Sequence, residues 1–159
     1  MSTDDDASGT ASGWERTVSE MQTAAARLEE AGWTVETVRA GDTAPEPPEA
    51  GEADRFGLVH TVPGSAAAAV RSVLGDDVEE YTLYRRTVGS TTFLVTELRA
   101  PGSRRALLVA GAVDRDDAAA LREAASERGE MYTHLQLLDW THLGSVRHDD
   151  PAAFFPALE

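Results

Sequence analysis

The stretch Ala106-Leu-Leu-Val-Ala-Gly-Ala-Val113 limits this chain more than any other. A run so continuously apolar, with no polar residue to turn toward water, reads as a central strand covered on both faces. Two candidate strands precede it, Glu79 to Val88 and Thr91 to Arg99. Gly89-Ser90 between them is a two-residue hairpin turn, and Pro101-Gly102-Ser103 supplies the second reversal into Arg104 to Val113. The centre of the chain is therefore expected to be an antiparallel meander.

The flanking segments supply the layers that cover it. Ser12-Gly-Trp-Glu15 has capping-box spacing, so a helix is expected to start at Ser12, leaving residues 1–11 as a disordered acidic tail. Trp14, Val18, Met21, Ala25 and Leu28 recur at steps of four and three and share one face of that helix, which Gly32 stops. Trp33 to Arg39 alternates as a half-buried strand does. Gly41 to Asp54, rich in proline and acids, is expected to be an exposed loop with no ladder. Phe56 to Val62 reads as a strand containing His60, and Pro63-Gly64-Ser65 leads into an alanine-rich helix ending near Leu74-Gly75.

After the meander, Asp114, Asp116 and Asp117 suit a helix N-terminus, and Arg122, Arg128 and Gly129 suit its other end. A strand pair follows, and Pro151 to Pro156 forms an apolar plug. The expected fold is a single α+β domain over residues 12–159, of element order α-β-β-α-β-β-β-α-β-β. Its sheet is antiparallel-rich or mixed, of about six to seven strands, covered by three helices.

Composition narrows the chemistry. With 28 acidic residues against 14 basic ones, all arginine, the net charge is -14. Such a surface repels itself at low ionic strength and suits molar salt, where the Debye length shrinks to about 3 Å. Arginine keeps its charge with a planar fork and less alkyl surface than lysine, although GC-rich codon usage would also replace one with the other. The acidic field opposes nucleic-acid binding. Without cysteine there is no disulfide, thiol nucleophile or thiolate metal site. No apolar run approaches the ~20 residues of a membrane span, and the acidic N-terminus lacks the basic start of a signal segment, so a cytoplasmic location is expected.

Polar chemistry gathers in Tyr132 to Phe155, which holds His134, His142 and His148. Strand alternation puts Tyr132, His134 and Gln136 on one face. If Asp139-Trp140-Thr141 is a three-residue turn pairing Leu138 with His142, then His142, Gly144, Val146 and His148 join them, while a one-residue slip would change the grouping. Three imidazoles near Asp139, Asp149 or Asp150 could hold a divalent metal or act as an acid and base near neutral pH. In that reading His134 and His142 are candidate catalytic groups, with Asp139 as base or orienter. The plainer reading makes the histidines structural and His148-Asp149-Asp150-Pro151 a turn. A second cluster, Arg85, Arg86, Arg99, Arg104 and Arg105, could take an anion, or could simply pair across strands with glutamates. No GxxxxGK[ST], GxGxxG or GxSxG motif occurs, and Ser145 follows Gly144 without a nucleophile-elbow context.

Three resemblances bear on function. From Gly64 to Leu138 the order α-β-β-β-α-β is similar to the restriction-endonuclease-like core, but its Glu-x-Lys is missing, because no lysine occurs at all. With the first elements included, the order also looks like the roadblock or longin scaffolds; both likenesses are at the level of fold alone. More of the chain is covered by a third. Asp54-Arg-Phe-Gly-Leu-Val-His60, Phe93-Leu-Val-Thr-Glu-Leu98, Met131-Tyr-Thr-His134, Thr141-His-Leu-Gly-Ser145, His148-Asp-Asp-Pro151 and Phe154-Phe-Pro156 resemble a family of small uncharacterised haloarchaeal proteins. That resemblance implies a halophilic cytoplasm and a domain of unknown function, with no assigned activity.

The leading expectation is a non-enzymatic ligand-binding or protein-interaction domain, using Tyr132, His134, Gln136, His142 and His148, with any cofactor unidentified. Its partner would be a small molecule, another protein, or a second copy through an edge strand or the first helix. The alternative is a small metal-assisted hydrolase, or a degenerate nuclease-like domain, using His134, His142 and His148.

Overall fold

The central strand lies where its apolar run places it. In the computed structural model, which describes residues 3–47 and 56–155, β6 (Arg105–Asp114) is an interior strand with Ala106 to Ala110 fully buried. It pairs antiparallel with β5 (Thr91–Ala100), which pairs antiparallel with β4 (Glu80–Val88), as the two turn sequences require. On its other side β6 takes β1 (Thr34–Arg39) in parallel, giving the order β1-β6-β5-β4.

A second sheet has the order β2-β3-β7-β8, from β2 (Asp42–Glu46), β3 (Gly57–Thr61), β7 (Met131–Gln136) and β8 (His142–His148). The β2/β3 and β7/β8 pairs are antiparallel, and β3 joins β7 in parallel. The fold is α+β, but the strands number eight among the described residues and divide into two mixed sheets of four, not one sheet of six or seven. The division arises because β1 and β3 reach across the chain to partners more than 70 residues later, Thr34 to Arg105 and Leu58 to Thr133. Local patterning carries no trace of such partners.

Three apolar clusters join the layers. Met21, Ala24 and Ala25 of α1 (Thr3–Glu30) pack on Val95, Ala106, Leu108 and Ala110, covering the outer face of the first sheet. Trp14, Val18 and Leu28 flank them, as the helical spacing predicts. The helix begins at Thr3, upstream of the Ser12 cap, and runs on through Gly13, where it lies close against the Phe93 ring. Its end is a Schellman turn: Trp33 N–H donates to Leu28 O at 2.9 Å and Gly32 N–H to Glu29 O at 3.0 Å, with Gly32 at φ 92°.

Between the sheets, one cluster unites Leu94 and Val113 with Leu58, Met131, Phe154 and Phe155, and includes Leu121 and Ala125 of α3 (Ala119–Arg128). The other unites Leu98, Leu107 and Val109 with Val62, Leu135 and Leu143, and includes Val70 and Val73 of α2 (Ala67–Leu74). The two short helices thus close the seam between the sheets. Ahead of α3, the Asp114 carboxylate accepts from the amides of Asp116 and Asp117, at 2.8 and 3.2 Å.

The proline-rich segment departs from expectation. Asp42 to Glu46 is a strand, with Thr43 buried, where an exposed loop without a ladder was expected; residues 48–54 lie outside the described ones. Pro45 is tolerated because β2 is an edge strand, where a missing N–H need leave no acceptor unpaired.

Candidate functional site

The last hairpin decides which histidines meet. Leu137 N–H donates to Thr141 O and Trp140 N–H to Leu137 O, both at 2.9 Å, so the loop is Leu138-Asp139-Trp140. The expected turn, Asp139 to Thr141, is shifted by one residue. Trp140 sits at φ 74°, the left-handed position that such a loop usually gives to glycine. Asp139, the candidate base, accepts from the Thr141 amide at 3.1 Å, and the Thr141 hydroxyl and amide hold its carboxyl below the usual range. It acts as a loop brace.

Gln136 pairs with His142, but Leu135 pairs with Gly144, leaving Leu143 as a bulge. From there β8 runs one residue out of the expected register. Ser145 opposes His134, and His148 opposes Met131 on the face turned toward the first sheet. The expected grouping of three imidazoles is therefore corrected: His134 and His142 share the outer face, while Gly144, Val146 and His148 belong to the inner one. Among the described residues, no three His, Cys, Asp or Glu side chains come close enough to hold a metal ion.

On the outer face the contacts form a directed chain. The Phe56 carbonyl lies 3.0 Å from His134 Nε2, and since a carbonyl only accepts, that nitrogen carries the proton. In the neutral ring Nδ1 is then the acceptor, and it faces the Ser145 hydroxyl at 2.6 Å. The same hydroxyl oxygen lies 3.0 Å from His142 Nε2, which donates to it. Ser145 thus gives its proton to one imidazole and receives from another. His134 is buried to 3% exposure and stacked on Tyr132, with ring centroids 5.8 Å apart at 17°. His142 and Ser145 are exposed. Gln136 extends the face by donating to the Thr61 hydroxyl at 3.2 Å.

Local backbone fixes the Phe56 carbonyl. Gly57 has φ 131°, and a Cβ there would stand 2.0 Å from Tyr132 O, so only glycine lets the chain enter β3 this close to β7. Sequence reading set Ser145 aside for want of a nucleophile elbow and did not register the Phe56 carbonyl. A backbone acceptor leaves no mark in a motif, and Ser145 acquires its partners only through the bulge.

The inner face holds a different pair. His60 and His148 are both fully buried. The Thr43 hydroxyl lies 2.8 Å from His60 Nδ1, and the Thr133 hydroxyl 2.7 Å from His148 Nε2. Tyr81 and Phe154 wall His148, with centroids at 4.4 and 4.6 Å. His60 Nε2 and His148 Nδ1 find no hydrogen-bond partner among the described residues. Burial pushes both rings down to about 4, with His134 adding to the effect at His60. These are neutral core imidazoles.

The arginines expected to gather an anion are each engaged elsewhere. Arg85 donates to the carbonyls of Ala153 and Phe155, Arg86 pairs with Glu20, and Arg99 with Glu97 and Thr82. Arg104 donates to Ala31 O and lies over the Trp33 ring, and Arg105 binds Ser72 beside Asp76. They brace separate joints.

Among the described residues, two depressions bear on a ligand site. The larger, about 840 Å³, runs between α3 and the turn at Pro151–Phe154, past Arg122, Glu127 and Phe155, and carries none of the imidazoles. The smaller, about 370 Å³, lies between β8 and the link from α2 to β4; Leu74, Asp77, Glu79, Ser145 and Arg147 line it. Size favours the first, but only the second touches the hydrogen-bonded chain.

No helix among the described residues is long and apolar enough to cross a membrane. Neither a curated protein nor a solved structure matches the sequence. The model of a family described as "Family of unknown function (DUF7529)" matches residues 2–156, and the chain belongs to that family.

Proposed function

We propose that this protein is a ligand-binding domain whose site is the outer face of the second sheet, built on His134, Ser145 and His142, with Gln136 and Tyr132 beside them. The observation that carries this reading is the directed hydrogen-bond chain from the Phe56 carbonyl through His134 to an exposed hydroxyl held by a second imidazole. Orienting an exposed serine in this way costs rotamer freedom that a solvated hydroxyl would keep, and a bound polar group can recover it. A neutral polar molecule fits best, because the net charge of -14 disfavours anions. Leu138 and Trp140, 86% and 72% exposed, add apolar area on the loop leading to His142.

The test is histidine-ring and amide NMR with a set of neutral ester, amide and ketone fragments. Shifts should concentrate at His134, His142 and Ser145, and should vanish in His142→Ala. Shifts confined to the groove beside α3, or no binding by any fragment at millimolar concentration, would overturn the proposal.

A further inference from the structure

Ser145 is set up for more than binding. We infer that its hydroxyl is a nucleophile, with His134 as its general base, that accepts the acyl group of a neutral ester and passes it to water. This rests on the binding reading above and names the chemistry of the same site. Three features carry it. The hydroxyl oxygen lies 2.6 Å from His134 Nδ1, within the reach general-base catalysis needs. The base is fixed on its far side by the Phe56 carbonyl, which selects the tautomer with Nδ1 unprotonated. The nucleophile is exposed, on a residue that borders a recess of about 370 Å³, whereas its base is buried and held between ring and backbone.

The steps balance without a metal or a redox partner. Ser145 Oγ forms a bond to the acyl carbon as its proton moves to His134 Nδ1. The ester C–O bond then breaks, and the leaving alkoxide takes that proton. Water next attacks the acyl carbon, giving a proton to His134 Nδ1; the bond to Oγ breaks and Oγ recovers the proton. One ester and one water yield one acid and one alcohol. Throughout, the His142 Nε2–H, 3.0 Å from Oγ, holds the oxygen in place. Asp77 and Glu79 in the recess repel phosphate esters, which is why the substrate class is a neutral carboxylic ester.

The probe is an alkyl fluorophosphonate, which forms an O–P bond to an activated serine and releases fluoride. Intact mass and peptide mapping should find one adduct, on Ser145, absent in Ser145→Ala and formed at least about 100-fold more slowly in His134→Asn. Ser145→Cys gives a second readout that leaves His134 in place: its iodoacetamide alkylation should follow an apparent pKa well below the ~8.5 of a free thiol. An unlabelled, folded wild-type chain, an adduct whose rate ignores His134→Asn, or an ordinary thiol profile overturns the inference. If fragments still bind the face while no adduct forms, only the nucleophile falls; if neither occurs, both readings fall.

Discussion

Acidification should destabilise this fold through two interior rings, by an amount that can be worked out. His60 and His148 hold their pKa near 4, against 6.5 for an unperturbed ring. For a base whose folded pKa is depressed, the unfolded chain takes up the proton first, so stability is complete above about pH 6.5 and falls as pH drops toward 4. Each ring contributes roughly 3 kcal/mol over that whole window, and the two together about 4 kcal/mol by pH 5. A domain at the low end of ordinary stability, about 5 kcal/mol, would then be close to unfolding.

The carboxylates act in the opposite sense, because protonating them relieves the repulsion of a chain at net charge -14. Working at 1 M KCl suppresses that contribution, since the Debye length is then about 3 Å. Urea unfolding followed by tryptophan fluorescence at half-unit steps from pH 7.5 to 4.5 should show a slope approaching about 2.7 kcal/mol per pH unit. His148→Phe, which places a ring of similar size between Tyr81 and Phe154, should halve the slope. Ring NMR should show neither imidazole titrating above pH 5. A slope unchanged by His148→Phe, or a ring midpoint near 6.5, would refute the reasoning.

Other perturbations test separate joints. Trp140→Gly should raise stability by about 1 kcal/mol in thermal unfolding, because the strain of a bulky residue at φ 74° outweighs the added chain entropy of glycine. Gly111→Ala should cost about 2–3 kcal/mol by the same measurement, since its Cβ would stand 2.4 Å from Thr43 Oγ1 and 3.0 Å from the His60 ring. Raising KCl from about 0.05 to 1 M at pH 7.5 should raise the melting temperature by screening the acidic surface; a fall would show that self-repulsion is not what limits stability.

Elements whose signals are local were legible. The apolar run of β6, the spaced apolar face of α1 and the glycine stop at Gly32 all depend on neighbours within a few residues, and each appears as patterned, whereas the acids expected at the start of α3 lie in the turn ahead of it, which Ala118 ends. The split into two sheets was not legible, because it turns on parallel pairings across most of the chain. Nor was β2, where the bar that Pro45 presents holds for interior strands but not for edges.

The site was legible in its residue types and not in its geometry. His134, Gln136 and His142 were grouped as found, but strict alternation then sent His148 outward with them. Alternation fails at Leu143, where two successive residues oppose one, and it misleads earlier because Trp140 occupies a position that normally announces itself as glycine. One inserted residue exchanged a third imidazole for a hydroxyl.

The strand order carries a consequence for how the molecule is made. On a ribosome, α1 and the whole first sheet are complete once residue 114 has emerged, whereas β2 and β3 must wait for β7 and β8. Until then Leu94, Leu98, Leu107 and Val109 lack their cover from the second sheet. The nascent chain therefore passes through an interval with an open greasy face, closed by the same final segment that brings Ser145 to His134. Closure of the interior and assembly of the site are a single late event.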